Sequence, residues 1–314
     1  MAKLSQPRAG SLQFWPRKRI DKWIPSVNWD AIVSEHKGIM GLIAYKVGMC
    51  SSLVKNSTPD SLTKDKKIII PSTVLEIPPM RIFSVRYYKN GKVMTEQVLE
   101  NEKELKRIVK VSKEKKAFVD EKDFDDIRVL VYSRVSTSGV KKTPDMTEIG
   151  LTGTKEEKLN FVKEKVGKDI FASEIFKDIK LVDIRGLTKG KGLVGPMKRF
   201  GIRKRQHKAE KGVRRPGTLG PWHPAHVLFR VPMSGQMGMF TRIHYNSRIL
   251  NSGKISEKDI NPNHGWKHYG KIRTEFVILE GSVPGPSKRQ MLMTIPLRPS
   301  KSQTKKKYEF IDLR

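Results

Sequence analysis

The sequence predicts a mainly β protein: a barrel whose strands come from both ends of the chain, carrying an α/β insertion and a long basic excursion. Three observations predict it. Short runs rich in Ile, Val and Leu lie at residues 38–54, 65–80, 180–184 and 239–297, broken by Gly, Pro and Asn as in a small barrel. Between about residues 100 and 167 the apolar spacing takes a helical period instead. Residues 185–215, RGLTKGKGLVGPMKRFGIRKRQHKAEKGVRR, hold twelve Lys or Arg against the single acid Glu210, with almost no apolar periodicity to fold them.

The chain opens on SLQFWPRKRIDKWIPSVNWD, which sets Trp15, Trp23 and Trp29 among Arg17, Lys18, Arg19 and Lys22. We read residues 1–35 as an N-terminal arm whose tryptophans dock on the body or contact a partner, two roles that are compatible. GIMGLIAYKVGMCSSLV and DKKIIIPSTVLEIPPM are β-rich stretches separated by a polar loop, and Gly38, Gly41 and Gly48 mark tight bends or close backbone approach. IFSVRYY and KVMTEQV flank Asn90-Gly91, a strong hairpin signal. Residues 101–118 place Leu105, Ile108 and Val109 on one side, with Asn101 three residues before Glu104, and predict an amphipathic helix. Residues 154–167 repeat the device with Thr154, Glu157 and a terminal Gly167. IRVLVYS at 127–133 predicts a strand between the two. Residues 81–179 therefore read as an α/β module inserted into a barrel built from 36–80 and 180–300. Residues 187–238 form the basic excursion, and 301–314 a C-terminal tail. No repeat with a period of roughly 20 to 50 residues is visible.

The 314 residues carry 63 Lys plus Arg against 32 Asp plus Glu, a formal net charge of +31, far beyond what solubility needs. The excess is uneven, with 28 basic and 8 acidic side chains in 181–314 against 23 and 18 in 80–180. The stretch 185–215, net +11 with five glycines before Arg203, repels itself and stays extended unless a partner of high negative charge density surrounds it. RNA is the natural partner. PGTLG then leads into PWHPAH, so Trp222, His223 and His226 stand just past the basic run, where an aromatic can stack on a base. RNA contacts are accordingly expected from Arg17, Lys18 and Arg19, from Lys189, Lys191, Lys198, Arg199, Arg203, Lys204, Arg205, Lys208, Lys211, Arg214 and Arg215, and from Trp222, His223 and His226. The single cysteine, Cys50, leaves no internal disulfide framework and fits a reducing compartment. With no apolar run of about 18 residues and no apolar stretch in MAKLSQPRAG, a soluble cytosolic protein is expected.

Enzyme-like patterns fail on their continuations. Gly190, Gly192 and Gly195 spell GxGxxG after the strand-like KLVDI, with Glu210 at roughly the distance of a ribose-binding acid. Pro196 and the basic run after it offer neither an apolar helical stripe nor a second strand, so the glycines are better read as letting backbone approach phosphates. Pro196 and Met197 also stand where a phosphate-binding loop needs Lys and Ser or Thr. The pairs His223 with His226 and His264 with His268 have separations a metal could use, but neither has a thiol nearby and acids are few. No paired carboxylates converge in the basic half, and no Gly-x-Ser-x-Gly occurs. No catalytic residue, cofactor or metal is expected. The alternative reading, an RNA-modifying enzyme whose basic arm presents substrate, would need a cofactor pocket or acid-base cluster that none of these patterns supplies.

GLTKGKGLVGPMKRFG, RRPGTLGPWHPAHV, SGQMGMFTRIHYN and EGSVPGPSKR, together with SLQFWPRKR and VLEIPPMRIFSVRYY, resemble the universal large-subunit ribosomal protein three family, in the same order and over most of the chain. Length, the PPMR segment and the lack of a long C-terminal extension resemble its archaeal members. The resemblance implies a translation-protein-type six-stranded β-barrel with an inserted module, plus central and N-terminal extensions running into ribosomal RNA. It maps the central extension to 187–238 and the family's tryptophan finger to Trp222, whose tip approaches the peptidyl transferase centre and is linked to aminoacyl-tRNA entry. It adds Gln236, which matches a glutamine methylated in bacterial members, and Lys288 and Arg289 to the expected RNA-contacting residues. Glu210 stands where eukaryotic members have a histidine, so a role tied to that histidine does not carry over. The implied partners are large-subunit ribosomal RNA and neighbouring large-subunit proteins, with no membrane and no small-molecule substrate. Because RNA forms the peptide bond, the implied role is structural and modulatory.

Overall fold

The structure is a computed structural model that describes residues 13–34, 36–112, 118, 119, 121, 123–176 and 179–314. In chain order its strands are β1 (Gly38–Ile39), β2 (Gly41–Asn56), β3 (Lys67–Ile77), β4 (Met80–Lys89), β5 (Lys92–Val98), β6 (Asp126–Ser133), β7 (Met146–Thr152), β8 (Leu181–Leu187), β9 (Leu193–Val194), β10 (Gly235–Gln236), β11 (Thr241–Lys254), β12 (Glu275–Glu280), β13 (Gln290–Thr294) and β14 (Tyr308–Leu313). The helices are short: α1 (Val135–Ser138), α2 (Lys155–Lys165), α3 (Ala172–Ile175), α4 (Pro196–Phe200) and α5 (Lys301–Lys305). The protein is mainly β, as the alternating apolar runs predict. Among the described residues no helix is long and apolar enough to cross a membrane. Two compact units emerge, Met1–Lys22 with Leu187–Thr241, and Trp23–Gly186 with Arg242–Arg314.

The larger unit contains two sheets. In one, hydrogen bonding runs β13-β8-β11-β12-β3-β2, and β13 pairs back onto β2, so six strands close a ring, with β14 added on β2 outside it. Closure needs backbones to approach closely where β13 meets β2. Gly41 lies opposite Thr294, and a Cβ there would come within 2.9 Å of the Met293 carbonyl oxygen. Gly48 follows a register shift in the β2–β3 pairing and lies against the Trp266 ring, which a Cβ would meet at 3.2 Å. Ile43, Tyr45, Val74, Leu75, Ile184, Ile278 and Met293 are fully buried, each contributing on the order of 1.5 to 3 kcal/mol of transfer free energy.

Buried acids pin the connections. Glu76 is fully buried and accepts from the Tyr269 hydroxyl, from Thr274 Oγ1 (2.9 Å) and from the amides of Arg273 (2.9 Å) and Thr274 (3.0 Å). Asp183 accepts the amides of Asn246 (2.7 Å) and Leu297 (2.9 Å). The hydroxyl of Tyr45 donates to Asp145 and lies 2.7 Å from Ser133 Oγ. Burial first, and the neighbouring Asp145 next, hold the Tyr45 hydroxyl well above its usual range; burial and Glu76 do the same for Tyr269.

The second sheet, ordered β1-β7-β6-β4-β5, contains the predicted hairpin. Asn90 and Gly91 turn with φ of 50° and 72°, the double left-handed conformation that an Asn-Gly pair adopts at little cost. The α2 helix starts on the predicted capping box: Glu157 N donates to Thr154 Oγ1 (3.4 Å), and Thr154 N donates to Glu157 Oε2 (2.9 Å). The predicted helix over 101–118 is corrected. A 3-10 turn, Lys103–Arg107, follows Glu102 with no side-chain cap. Leu105 anchors it beside Phe83 and Tyr132, with Val109 and Val111 also packed there. That 105, 109, 111 spacing follows the small cluster instead of a helical face. Residues 113–117 lie outside the described residues. The C-terminal tail is also more ordered than its sequence suggested, because Tyr308 and Phe310 in β14 pair with Asn56 and Val54 of β2.

Candidate nucleic-acid interface

Leaving β8, the chain enters the smaller unit through a clamp at the base of the basic excursion. Thr188 N donates to the Phe240 carbonyl (3.0 Å), and Phe240 N donates to Thr188 Oγ1 (3.1 Å). Lys191 N reaches the Met237 carbonyl, and Met237 N reaches the Gly192 carbonyl, both at 2.9 Å; then β9 pairs with β10. The clamp depends on Gly238, where φ is +79° and a Cβ would collide with the Lys189 carbonyl oxygen. Beyond β9, Pro196 opens α4 at a position that lacks an intrahelical N–H partner in any case, and Gly201 closes it at φ +68°.

Arg199 braces this base, donating through Nε to the Gln236 carbonyl and through Nη1 to the Met233 carbonyl, both at 3.0 Å. The N-terminal arm reinforces it. Ile20 N donates to the Met239 carbonyl (3.2 Å), and Trp15 lies edge-on to Phe229 with ring centroids 5.5 Å apart. The Arg17 guanidinium covers the Phe200 ring at 4.1 Å and the Trp15 ring at 5.1 Å, while Nη1 donates to the Arg199 carbonyl at 3.5 Å. Arg17 and Arg199 therefore have structural partners within the unit. Gln236, half-buried, turns its amide back onto the Gly238 carbonyl (3.0 Å). The Phe200 and Phe229 packing escapes the sequence reading, since two isolated phenylalanines 29 positions apart carry no periodicity.

Above the base the excursion is open. Lys18, Arg19, Lys189, Lys191, Lys198, Arg203, Lys204, Arg205, Lys208, Lys211, Arg214, Arg215, His223 and His226 are all exposed. None of these Lys or Arg forms an ion pair among the described residues. Backbone bonds are sparse here, Arg205 N to the Val213 carbonyl (3.1 Å) and His226 N to the Pro224 carbonyl (2.7 Å) among them. Trp222 is 88% exposed. The structure thus brings fourteen of the expected residues and Trp222 into one unit as unpaired or exposed groups, while Lys288 and Arg289 fall in the other unit. There Lys288 is exposed, and Arg289 covers the Trp23 ring at 5.1 Å, its guanidinium pushed down by burial. Trp29 is buried, so the first three tryptophans divide between packing and exposure.

A row of ammonium and guanidinium groups interrupted by a single acid, Glu210, can neutralise successive phosphates, and an exposed indole beside it can stack on a base. The chain is 37% identical to the large ribosomal subunit protein uL3 of Archaeoglobus fulgidus over 96% of its length and 94% of that protein. It is 38% identical to the proteins of the same name from Methanothrix thermoacetophila (95% of this chain, 93% of the relative) and Methanobrevibacter smithii (96% and 94%). The family model for ribosomal protein L3 matches residues 1–314, so the chain belongs to the ribosomal protein L3 family.

Proposed function

We propose that this protein is a structural component of the large ribosomal subunit in the cytoplasm, where it binds and organises large-subunit ribosomal RNA beside neighbouring ribosomal proteins. The observation that supports this best is the exposed basic excursion, ion-paired to nothing among the described residues and rooted on a braced base. Membership of the ribosomal protein L3 family supports it independently. In this reading the six-strand ring is a translation-protein-type barrel formed from 36–80 and 180–300, and 81–179 is its inserted module. Residues 1–35 are an RNA-contacting arm, 187–238 the central extension and 301–314 a tail. Arg203, Lys204, Arg205, Lys208, Lys211, Arg214 and Arg215 contact phosphates, and Trp222 is the finger that reaches toward the peptidyl transferase centre and modulates aminoacyl-tRNA entry. The protein catalyses nothing; it positions RNA.

Copurification tests this reading against the RNA-modifying alternative. Large subunits washed in high salt are expected to retain the chain in stoichiometric amount. Substoichiometric recovery, with release at the first wash, would mark a transient RNA-modifying factor and overturn the structural role.

A further inference from the structure

Two basic runs far apart in sequence meet on the barrel-bearing unit. β14 pairs with β2 in a register that sets Glu309 beside Lys55, and Lys55 in turn lies beside Lys67 of β3. The loop from β2 to β3 adds Lys64 and Lys66, while residues 298–307, RPSKSQTKKK, bring five Lys or Arg and no acid to the start of β14. The backbone of this second run is fixed. Lys307 N donates to Thr58 Oγ1 (2.9 Å), Ser57 N donates to the Lys307 carbonyl (2.9 Å), and Arg248 Nη1 donates to the Lys306 carbonyl (2.6 Å). Lys64, Lys66, Lys67, Lys301, Lys305 and Lys307 are exposed, and none pairs with a carboxylate among the described residues; Asp65 lies 3.6 Å from Lys55 instead.

Arg248 is a buried cation behind this run. Its side chain is 5% exposed, with Glu280 Oε2 3.7 Å from Nε, and both Nε and Nη2 lack a hydrogen-bond partner. Burial pushes its guanidinium down from the ordinary value. A fold that gathers this many exposed like charges on a fixed backbone, with only Asp65 and Glu309 near them, gains nothing from doing so in isolation, because self-repulsion opposes the compact state. A polyanion lying across the lysines removes that penalty. Ammonium groups on flexible stems act as point charges that follow a phosphate backbone without reading bases.

We infer that the 64–67 and 298–307 runs, joined by the pairing of β14 with β2, form a second phosphate-binding surface for ribosomal RNA, separate in sequence from the central extension. This rests on the reading of the chain as a ribosomal RNA-binding protein. The test uses the full chain and transcribed large-subunit ribosomal RNA over a salt series. Because each phosphate contact contributes about 0.7 to 0.9 to the slope of log affinity against log salt, K64Q/K66Q/K305Q/K307Q is expected to flatten it by roughly three to four units. The matching four Lys→Arg substitutions should keep the slope. K204Q/R205Q, in the central extension, should flatten it by roughly one to two units. An unchanged slope in the quadruple Gln variant, with K204Q/R205Q still flattened, overturns the second surface and leaves the RNA-binding reading standing. If neither flattens, that reading fails as well. An unchanged slope together with loss of a neighbouring protein from purified subunits would assign the lysines to an acidic protein face and also overturn the proposal.

Discussion

Trp222 carries the exposed indole at the end of the basic run. Gly220, Pro221, Pro224 and two histidines surround it with little aliphatic cover, and it is 88% exposed. Trp222→Ala therefore opens no cavity of the kind that costs about 3 to 5 kcal/mol, and the melting temperature of the isolated protein should stay within a degree or so. The deficit is expected in translation, as altered aminoacyl-tRNA accommodation by subunits that still assemble. A large melting shift with normal translation would make it a packing residue. Arg17 and Arg199 show what sequence does not disclose: their partners lie 182 and 37 positions away, and nothing in a basic run says which guanidinium will bond protein carbonyls. The buried tyrosines give a prediction of another kind. Tyr45 and Tyr269 have folded values raised above the ordinary 10.0 by burial, so their contribution to stability is complete below that value and is lost as pH rises past it. Each should cost up to about 1.4 kcal/mol per pH unit above roughly pH 10. Tyr132, also fully buried and held well above its ordinary value, belongs with them, so absorbance titration should show at least these three of the seven tyrosines ionising only with unfolding; seven independent, reversible titrations near pH 10 in a folded chain would refute the assignment.

At the scale of elements, the central extension divides into a braced base and an open run. Limited trypsin digestion of the free protein should cut first within residues 203–215, where backbone bonds are few and ordering each residue costs about 1 to 2 kcal/mol that nothing repays. Lys189, Lys191 and Arg199, within the clamp, should be cut later. Gly238→Ala should erase that difference, because its Cβ meets the Lys189 carbonyl at a φ that only glycine adopts freely; equal protection in the variant would show that the clamp does not order the base. Turn and cap chemistry was legible wherever it is local, as with Asn90-Gly91 and the Thr154 to Glu157 box. The helix expected over 101–118 failed because a single deeply buried side chain, Leu105, outweighed a weak apolar stripe. β14 was missed for the complementary reason, since YEFIDL acquires a partner only through β2, some 250 residues earlier.

For the whole molecule, the charge imbalance is legible in the amino-acid sequence alone, and it separates the strongly basic 181–314 region from the more nearly balanced 80–180 region. Ring closure is not, because it is a relation between β2 and β13 that no local window contains. That relation governs how the protein can be born. β2 is synthesised well over 200 residues before two of its pairing partners, residues 290–294 and 308–313, so an emerging chain must hold an apolar strand edge open until those residues have been made. Such edges invite pairing with other chains, and topologies rich in distant contacts fold slowly. Refolding from denaturant should accordingly yield soluble protein only at low concentration. The interval before closure is therefore when the open edge of β2 is most exposed to pairing with another chain.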